Sequence, residues 1–271
     1  MIFVRDKGRL CNNILQYGHL YAWSREHHRT TMSMRFAYKY QYFHICHTRY
    51  HNFFVYLWAK FAAWCGLVPV VSFDEPDKDY SQEEAILLKK RSAVAQGWYA
   101  RWYDLFLKYK PEIQQLFAFD EQIKAQPDQL LASIPAHDLL LGLHIRRGDY
   151  ATWHEGRYYF SDQQYADQVR RFARLHPGKR IHVVICGNDP HLDEDTFRQS
   201  LPEVALTFPK GTPGEDLYLL SQCDYLMGPP STFTLVAAMY RDLPLYWIEQ
   251  ADAPLTLESF GRFDILFRNI K

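Results

Sequence analysis

The 271-residue sequence is poor in cysteine: it has five, an odd number, and no CxxC pair. A disulfide framework or a zinc knuckle is therefore not expected, and a reducing cytoplasmic setting is. Excess charge of either sign is missing as well. Lys plus Arg, 31, equals Asp plus Glu, 31, so no overall field draws the chain to nucleic acid or anionic lipid. Any cationic site must be local. Long apolar runs are absent too; none approaches the roughly 18 residues that span a bilayer. The sequence does not open on a charged-then-apolar leader. Membrane contact is expected to be peripheral at most. Internal repeats and low-complexity tracts are also lacking.

What is present is the composition of a soluble globular protein, 48% hydrophobic and 23% charged, with length for two modest domains or one large one. Aromatic residues reach 16%, including 19 tyrosines and 18 phenylalanines. Such a surplus suits sugar-facing surfaces, although rings also fill ordinary cores.

Along the chain, residues 2–4 read as a first strand. The polar loop DKGRLCNN follows, then a helix over 13–27 with Ile14, Tyr17, Gly18 and Tyr21 on one face. A glycine-containing loop at a helix start suits an anion or polar ligand. A second strand is expected near 31–36. His44, His47 and His51 would share one side of a helix; packing among aromatic residues accounts for them better than metal ligation, since no carboxylates or cysteines complete a ligand pattern. Residues 67–73, interrupted by Pro69, read as an edge strand. Helices are expected over 83–91 and 97–110, the second stopped by Pro111, with Trp98, Trp102, Leu105, Phe106 and Tyr109 as a core stripe. The Gln-, Pro- and Ala-rich stretch 122–138 marks the domain boundary, giving domains over 1–130 and 131–271.

Beyond it strand and helix alternate at short spacing. Strands are expected over 139–145, 181–186, 204–208, 225–227 and 243–248. Ser161 with Gln164 is a capping-box pattern, and Glu215 and Asp216 open another helix. This half should be α/β, a parallel sheet with helices on both faces. Three strand ends carry polar groups: His144, Arg146, Arg147 and Asp149 on the first; Asn188 and Asp189 on the second; Ser231 and Thr232 on a third. In a parallel sheet these lie along one carboxyl edge, where ligands bind. Alternation puts His144 and Arg146 on one face and Arg147 on the other. Guanidiniums and a Ser231-capped helix start make an anion site of diphosphate type without a glycine-rich fingerprint. Taken singly, each has a structural explanation: an Arg–Asp pair at a strand end, a turn aspartate before proline, a simple helix cap.

HIRRGDY at 144–150 resembles the first motif of bacterial alpha-1,2-fucosyltransferases and of the wider superfamily that includes alpha-1,6- and protein O-fucosyltransferases. GRLCNNILQY at 8–17 is similar to that family's N-terminal loop, with Cys11 for a glycine, Asn13 for a glutamine and Leu15 for a phenylalanine. EDLYLLSQCDYLMGPPSTFTLVAAMY at 215–240 resembles the third motif. The middle motif departs: ICGNDP at 185–190 stands where a serine-aspartate-aspartate sequence is usual. Residues 32–138 resemble no motif of the family.

The resemblance implies a GT-B-like fold of two facing Rossmann-like domains, the N-terminal one on the acceptor side. It implies GDP-fucose as donor, inversion at the anomeric carbon, no metal and no cofactor. The acceptor would be an oligosaccharide or lipid-linked glycan, with galactose O2 the receiving hydroxyl, and the site of action cytoplasmic. By motif position Arg146 binds the β-phosphate, His144 and Asp189 lie near the guanosine, and Ser231, Thr232 and Phe233 line the phosphates. Arg147 accompanies Arg146 on the donor side, and Arg9 and Asn12 reach the reaction centre. An acceptor hydroxyl needs late deprotonation, for which Asp149, His154 and Glu155 are the local candidates; Asp149 can instead orient the arginines. The alternatives are a transferase of another GDP-sugar and a non-catalytic GDP-sugar or glycan-binding module.

Overall fold

The computed structural model describes residues 1–187 and 189–270. The chain divides into two compact units, Met1–Asp120 and a second that begins at Glu121, so the division falls earlier than the 130/131 position read from composition.

In the first unit β1 (Ile2–Arg5), α1 (Leu10–Glu26), β2 (Thr31–Ser33), the one-turn α2 (Phe36–Lys39), α3 (Phe53–Trp64), β3 (Val70–Ser72), α4 (Ser81–Lys89), β4 (Ala93–Gln96), α5 (Tyr103–Lys108) and α6 (Lys110–Leu116) follow in order. The sheet runs β2-β1-β4-β3, all parallel. Ile2, Phe3 and Val4 are buried, as a central strand covered on both faces requires. β3 is the edge strand that Pro69 suggested; the proline has no N–H but its carbonyl accepts from Val94 at 2.9 Å.

Two expectations fail here. Residues 97–110 do not form one helix. The run Ala93–Gln96, with three of its four residues buried, is a strand that periodicity did not show, and Gly97 turns the chain at φ +114°. Pro111 opens α6 instead of ending a helix, because a first-turn N–H has no intrahelical acceptor to lose. The aromatic stripe is core nonetheless: Trp102 packs 5.8 Å from Trp23 and 5.6 Å from Phe73, and Phe106 is buried. Nor do the three histidines share a helix. His44 and His47 belong to one 3-10 turn, while His51 lies beyond it and accepts the Ser33 N–H at 3.0 Å. Burial lowers His51 to about 4, so it packs as a neutral ring. Among the described residues no group of three or more His, Cys, Asp or Glu could hold a metal ion.

The second unit comprises α7 (Glu121–Ser133), β5 (Leu139–Ile145), α8 (Asp162–Leu175), β6 (Ile181–Gly187), α9 (Glu194–Ser200), β7 (Ala205–Thr207), α10 (Pro213–Ser221), β8 (Tyr225–Gly228), α11 (Thr232–Met239), β9 (Leu245–Trp247) and the one-turn α12 (Phe263–Leu266). The stretch read as the domain boundary is largely helix α7, held to α10 by the Tyr218 hydroxyl donating to Asp128 at 2.8 Å. The five strands run β7-β6-β5-β8-β9, all parallel, with β5 paired to β6 from Leu139↔Ile181 through Ile145↔Gly187. Leu141, Leu143 and Ile145 pack with Val169, Phe172 and Val183 in the core. The capping boxes at Ser161/Gln164 and Thr212/Glu215 both form. The chain leaves β5 towards β6 and returns to β8 on the other side, so the β5/β8 junction is the topological switch point. Among the described residues no helix is long and apolar enough to cross a membrane.

Gly97→Ala tests the missed turn. A Cβ there would stand 2.3 Å from the Phe73 carbonyl oxygen at a backbone angle L residues avoid. The expected loss is at least about 1–3 kcal/mol, read as a shift in urea unfolding of the first unit.

Candidate functional site

β5 delivers its last residues to the switch point, and alternation sends them to opposite sides. His144 is buried, and its ring stacks on Phe233 at 4.8 Å and 21°. Burial, with the charge of Arg146 beside it, lowers His144 to about 3. It is therefore neutral at physiological pH, with Nδ1 unpartnered. Arg146 lies on the same side. It donates to Asp149 at 2.9 Å and lies over the Tyr150 ring at 4.8 Å, and its buried Nε has no partner. The Tyr150 hydroxyl donates to the Pro230 carbonyl, fastening the HIRRGDY loop to the start of α11.

Ser231 caps α11 as its sequence suggested, accepting the Phe233 N–H at 3.1 Å, and Thr232 begins the helix. The Thr234 hydroxyl donates to the Ser231 carbonyl at 3.1 Å and accepts from Trp247 Nε1 at 3.2 Å. The helix therefore presents its positive end at the carboxyl edge where Arg146 emerges. His144, Arg146, Asp149, Ser231, Thr232 and Phe233 are brought together.

Arg147 has a different environment. It donates to Asp162 at 2.6 Å, to Asp189 at 2.8 Å and to the Phe160 carbonyl at 3.0 Å, with side-chain exposures of 7%, 15% and 12% for Arg147, Asp162 and Asp189. Burial opposes charge on Arg147, but the two carboxylates outweigh it and raise its pKa. Burial alone would raise Asp189; the His191 N–H at 2.9 Å and Arg147 together hold it below its usual value. Both Asp189 oxygens are thus already engaged. Asn188 lies outside the described residues.

The loop after Tyr150 exposes His154 and Glu155, both with left-handed backbone at φ +46° and +59°. Non-glycine residues adopt that region at a cost and concentrate where function holds them. Trp153 stacks between Tyr150 at 4.6 Å and Tyr158 at 5.4 Å, giving the loop an aromatic floor.

Arg9 and Asn12 belong to the first unit, on the turn from β1 to α1. Gly8, at φ +96°, makes that turn, and a Cβ there would meet Asn12 Nδ2 at 2.9 Å. Gln16 clamps it by accepting the Lys7 N–H at 3.1 Å and donating to the Lys7 carbonyl at 2.6 Å. Arg9 is exposed, and Asn12 half-buried beside it.

One further carboxylate escaped the sequence reading. Asp216 borders a cavity of about 330 Å³, lined also by Pro127, Leu130, Phe208, Lys210 and Gly211. Burial, reinforced by Glu215, pushes it up to about 7, and its Oδ1 has no hydrogen-bond partner. The signal was weak: Glu215 alone completes the capping box, and a second acid in the first turn is explained by the helix dipole. Tyr150, the tie between the two motifs, was also missed.

No protein-family model matches the sequence, and no curated protein matches it. Solved structures do. An Arabidopsis thaliana FUT1 variant in complex with GDP superposes with a TM-score of 0.62 at 12% identity, over 96% of this chain and 73% of that one. POFUT1 in complex with GDP-fucose gives 0.59 at 12%, over 89% and 95%. The fucosyltransferase NodZ from Bradyrhizobium gives 0.55 at 15%, over 91% and 94%. The shared feature is the fold, two parallel-sheet α/β units of the GT-B class.

The two arginines should separate in stability. Arg147→Met leaves two carboxylates buried without their cation and is expected to cost about 3–5 kcal/mol in denaturant unfolding of the second unit. Arg146→Met removes a partly exposed pair and should cost no more than about 1 kcal/mol. Equal losses would remove the division of roles drawn here.

Proposed function

We propose that the chain transfers L-fucose from GDP-fucose, with inversion, to a hydroxyl of a glycan acceptor, galactose O2 being the expected position. One observation carries the reading: Arg146 and the N-terminus of α11 are fastened together at the switch point by Tyr150 and Pro230. Its support is a fold shared with proteins solved with GDP and GDP-fucose.

In the transfer, the acceptor oxygen bonds to the fucose anomeric carbon while the bond from that carbon to the β-phosphate oxygen breaks. Negative charge grows on the departing GDP. Arg146 and the helix start stabilise it; a preorganised donor of this kind is worth about 3–4 kcal/mol. Asp149 holds the Arg146 guanidinium, so the base for the acceptor proton is sought at His154 or Glu155. Neutral His144, stacked on Phe233, packs beneath the nucleotide. Arg9 and Asn12 act in transfer from the first unit. The base reader is Asp216 in place of Asp189, because only Asp216 keeps an oxygen without a partner. An ionised carboxylate accepts from both the ring N–H and the exocyclic amine of guanine.

Arg146→Ala is expected to lower turnover of GDP-fucose by about a hundredfold or more, measured as GDP release in the presence of galactose-terminated acceptors. A panel of GDP-sugars supplies the control. If GDP-fucose does not compete with GDP while another GDP-sugar does, the donor assignment is overturned.

Asp216 makes GDP affinity pH-dependent. Its carboxyl titrates at about 7 in the empty site and must be ionised to accept two N–H groups. Affinity measured by calorimetry should therefore weaken as pH falls through that value, by up to about tenfold per unit well below it. Asp216→Asn should bind weakly and lose that component of the slope. An unchanged slope would remove Asp216 from the base pocket.

A further inference from the structure

Helix α3 shows the solvent a face that a soluble unit ordinarily covers. Phe53, Phe54, Leu57, Phe61 and Trp64 are all exposed, Phe54 and Trp64 at 84% and 83%, and Leu67 just beyond the helix extends the patch. At 3.6 residues per turn these helical positions fall on one side. The opposite side is fixed: Ala59 and Ala62 are fully buried, and the Trp58 ring packs 5.5 Å from Phe3 of β1. Asn52 caps the helix by accepting the Val55 N–H at 3.0 Å. The aromatic face is thus held outward by a well-formed helix.

Charge along the segment that carries the face is one-sided. From His27 through Phe73 the sequence contains no Asp or Glu, against Arg29, Arg35, Lys39, Arg49 and Lys60, in a chain balanced overall. Arg29 is occupied with the Leu88, Lys90 and Arg91 carbonyls, and Arg35 with the Asp6 carbonyl and Tyr38. Arg49 and Lys60 are exposed at the margin of the face, Lys60 with its ammonium 6.0 Å from the Tyr56 ring.

We propose that this face docks on an anionic lipid surface, with α3 lying in the interfacial plane. Trp, Phe and Tyr side chains favour the headgroup boundary, and a lysine at the edge of such a face reaches back to lipid phosphates. A helix of twelve residues, about 18 Å long, can lie in that boundary but not cross it. A second copy of the chain fits less well: residues 53–67, which form the face, carry Lys60 and no acid to receive the partner's lysine. The inference stands apart from the transferase reading and would hold for any cytoplasmic activity on a membrane-borne substrate.

The test is flotation of the full chain with vesicles of phosphatidylcholine alone and of phosphatidylcholine with phosphatidylglycerol, with light scattering of the free protein alongside. The expected result is a monomer that floats with the anionic vesicles and does so less as salt is raised. Phe54→Ser with Trp64→Ser, both at nearly fully exposed positions, should weaken flotation by at least about tenfold with the far-ultraviolet spectrum and melting temperature unchanged. Lys60→Gln should weaken binding to the anionic vesicles only. Three results would overturn the proposal: no flotation with either vesicle, equal flotation of the double variant, or a dimer that the double variant dissolves, which would assign the face to a second copy.

Discussion

The second unit depends on one buried fork. Arg147 bonds to Asp162 at the start of α8, to the Phe160 carbonyl just before it, and to Asp189 after β6. Two separate segments are thereby fixed to the end of β5. A charge this buried is tolerable only when each of its donors meets an acceptor, and here two carboxylates and a carbonyl do so. Because side chains alternate, anchoring Arg147 on one side of the strand end leaves Arg146 projecting on the other.

That second guanidinium gains its setting from topology. β5 is the strand where the chain reverses its direction across the sheet, so the loops after β5 and β8 diverge and leave a crevice. The Tyr150 hydroxyl ties the loop after β5 to the Pro230 carbonyl after β8, and the His144 ring of β5 stacks on Phe233 of α11. The histidine serves as an apolar plate here. Burial, with the Arg146 charge beside it, keeps it neutral.

Much of this unit was legible in the sequence because its signals were local. Apolar runs of seven residues ended abruptly in charged groups, and caps stood at helix starts. The parallel order follows from regular alternation of strand and helix, and the site from its carboxyl edge. The first unit was harder to read. Its strands are three or four residues long, and β4 is a run of Ala, Val, Ala and Gln with little to mark it beside the aromatic stretch that follows. The aromatic periodicity over 97–110 was real but belonged to a loop and two short helices packed on α1. Composition placed the domain boundary in 122–138 but did not show that this stretch is largely α7, whose Gln and Ala suit a surface helix and whose one proline lies inside a helix packed against α10. Asp189 and Asp216 show the limit at the site: sequence cannot say which of two carboxylates is already satisfied.

That distinction decides the electrostatics of the edge. Arg147 stands against two carboxylates, Asp162 and Asp189, and Arg146 against Asp149. The edge thus carries three acids to two guanidiniums, each acid held in an ion pair within the fold, and the positive end of α11 starts beside the Tyr150–Pro230 tie. Under the proposed function a diphosphate at the β5/β8 junction is received by Arg146 and that helix end, in directed hydrogen bonds and not by an excess of positive charge. Asp216 sits apart, partly neutral when its cavity is empty because burial resists its ionisation. A group with two adjacent N–H donors would reverse that balance by stabilising the ionised form. Under the proposed function, phosphate binding is set by Arg146 and a helix end, whereas base recognition draws on a carboxyl group whose charge is stabilised by the base it reads.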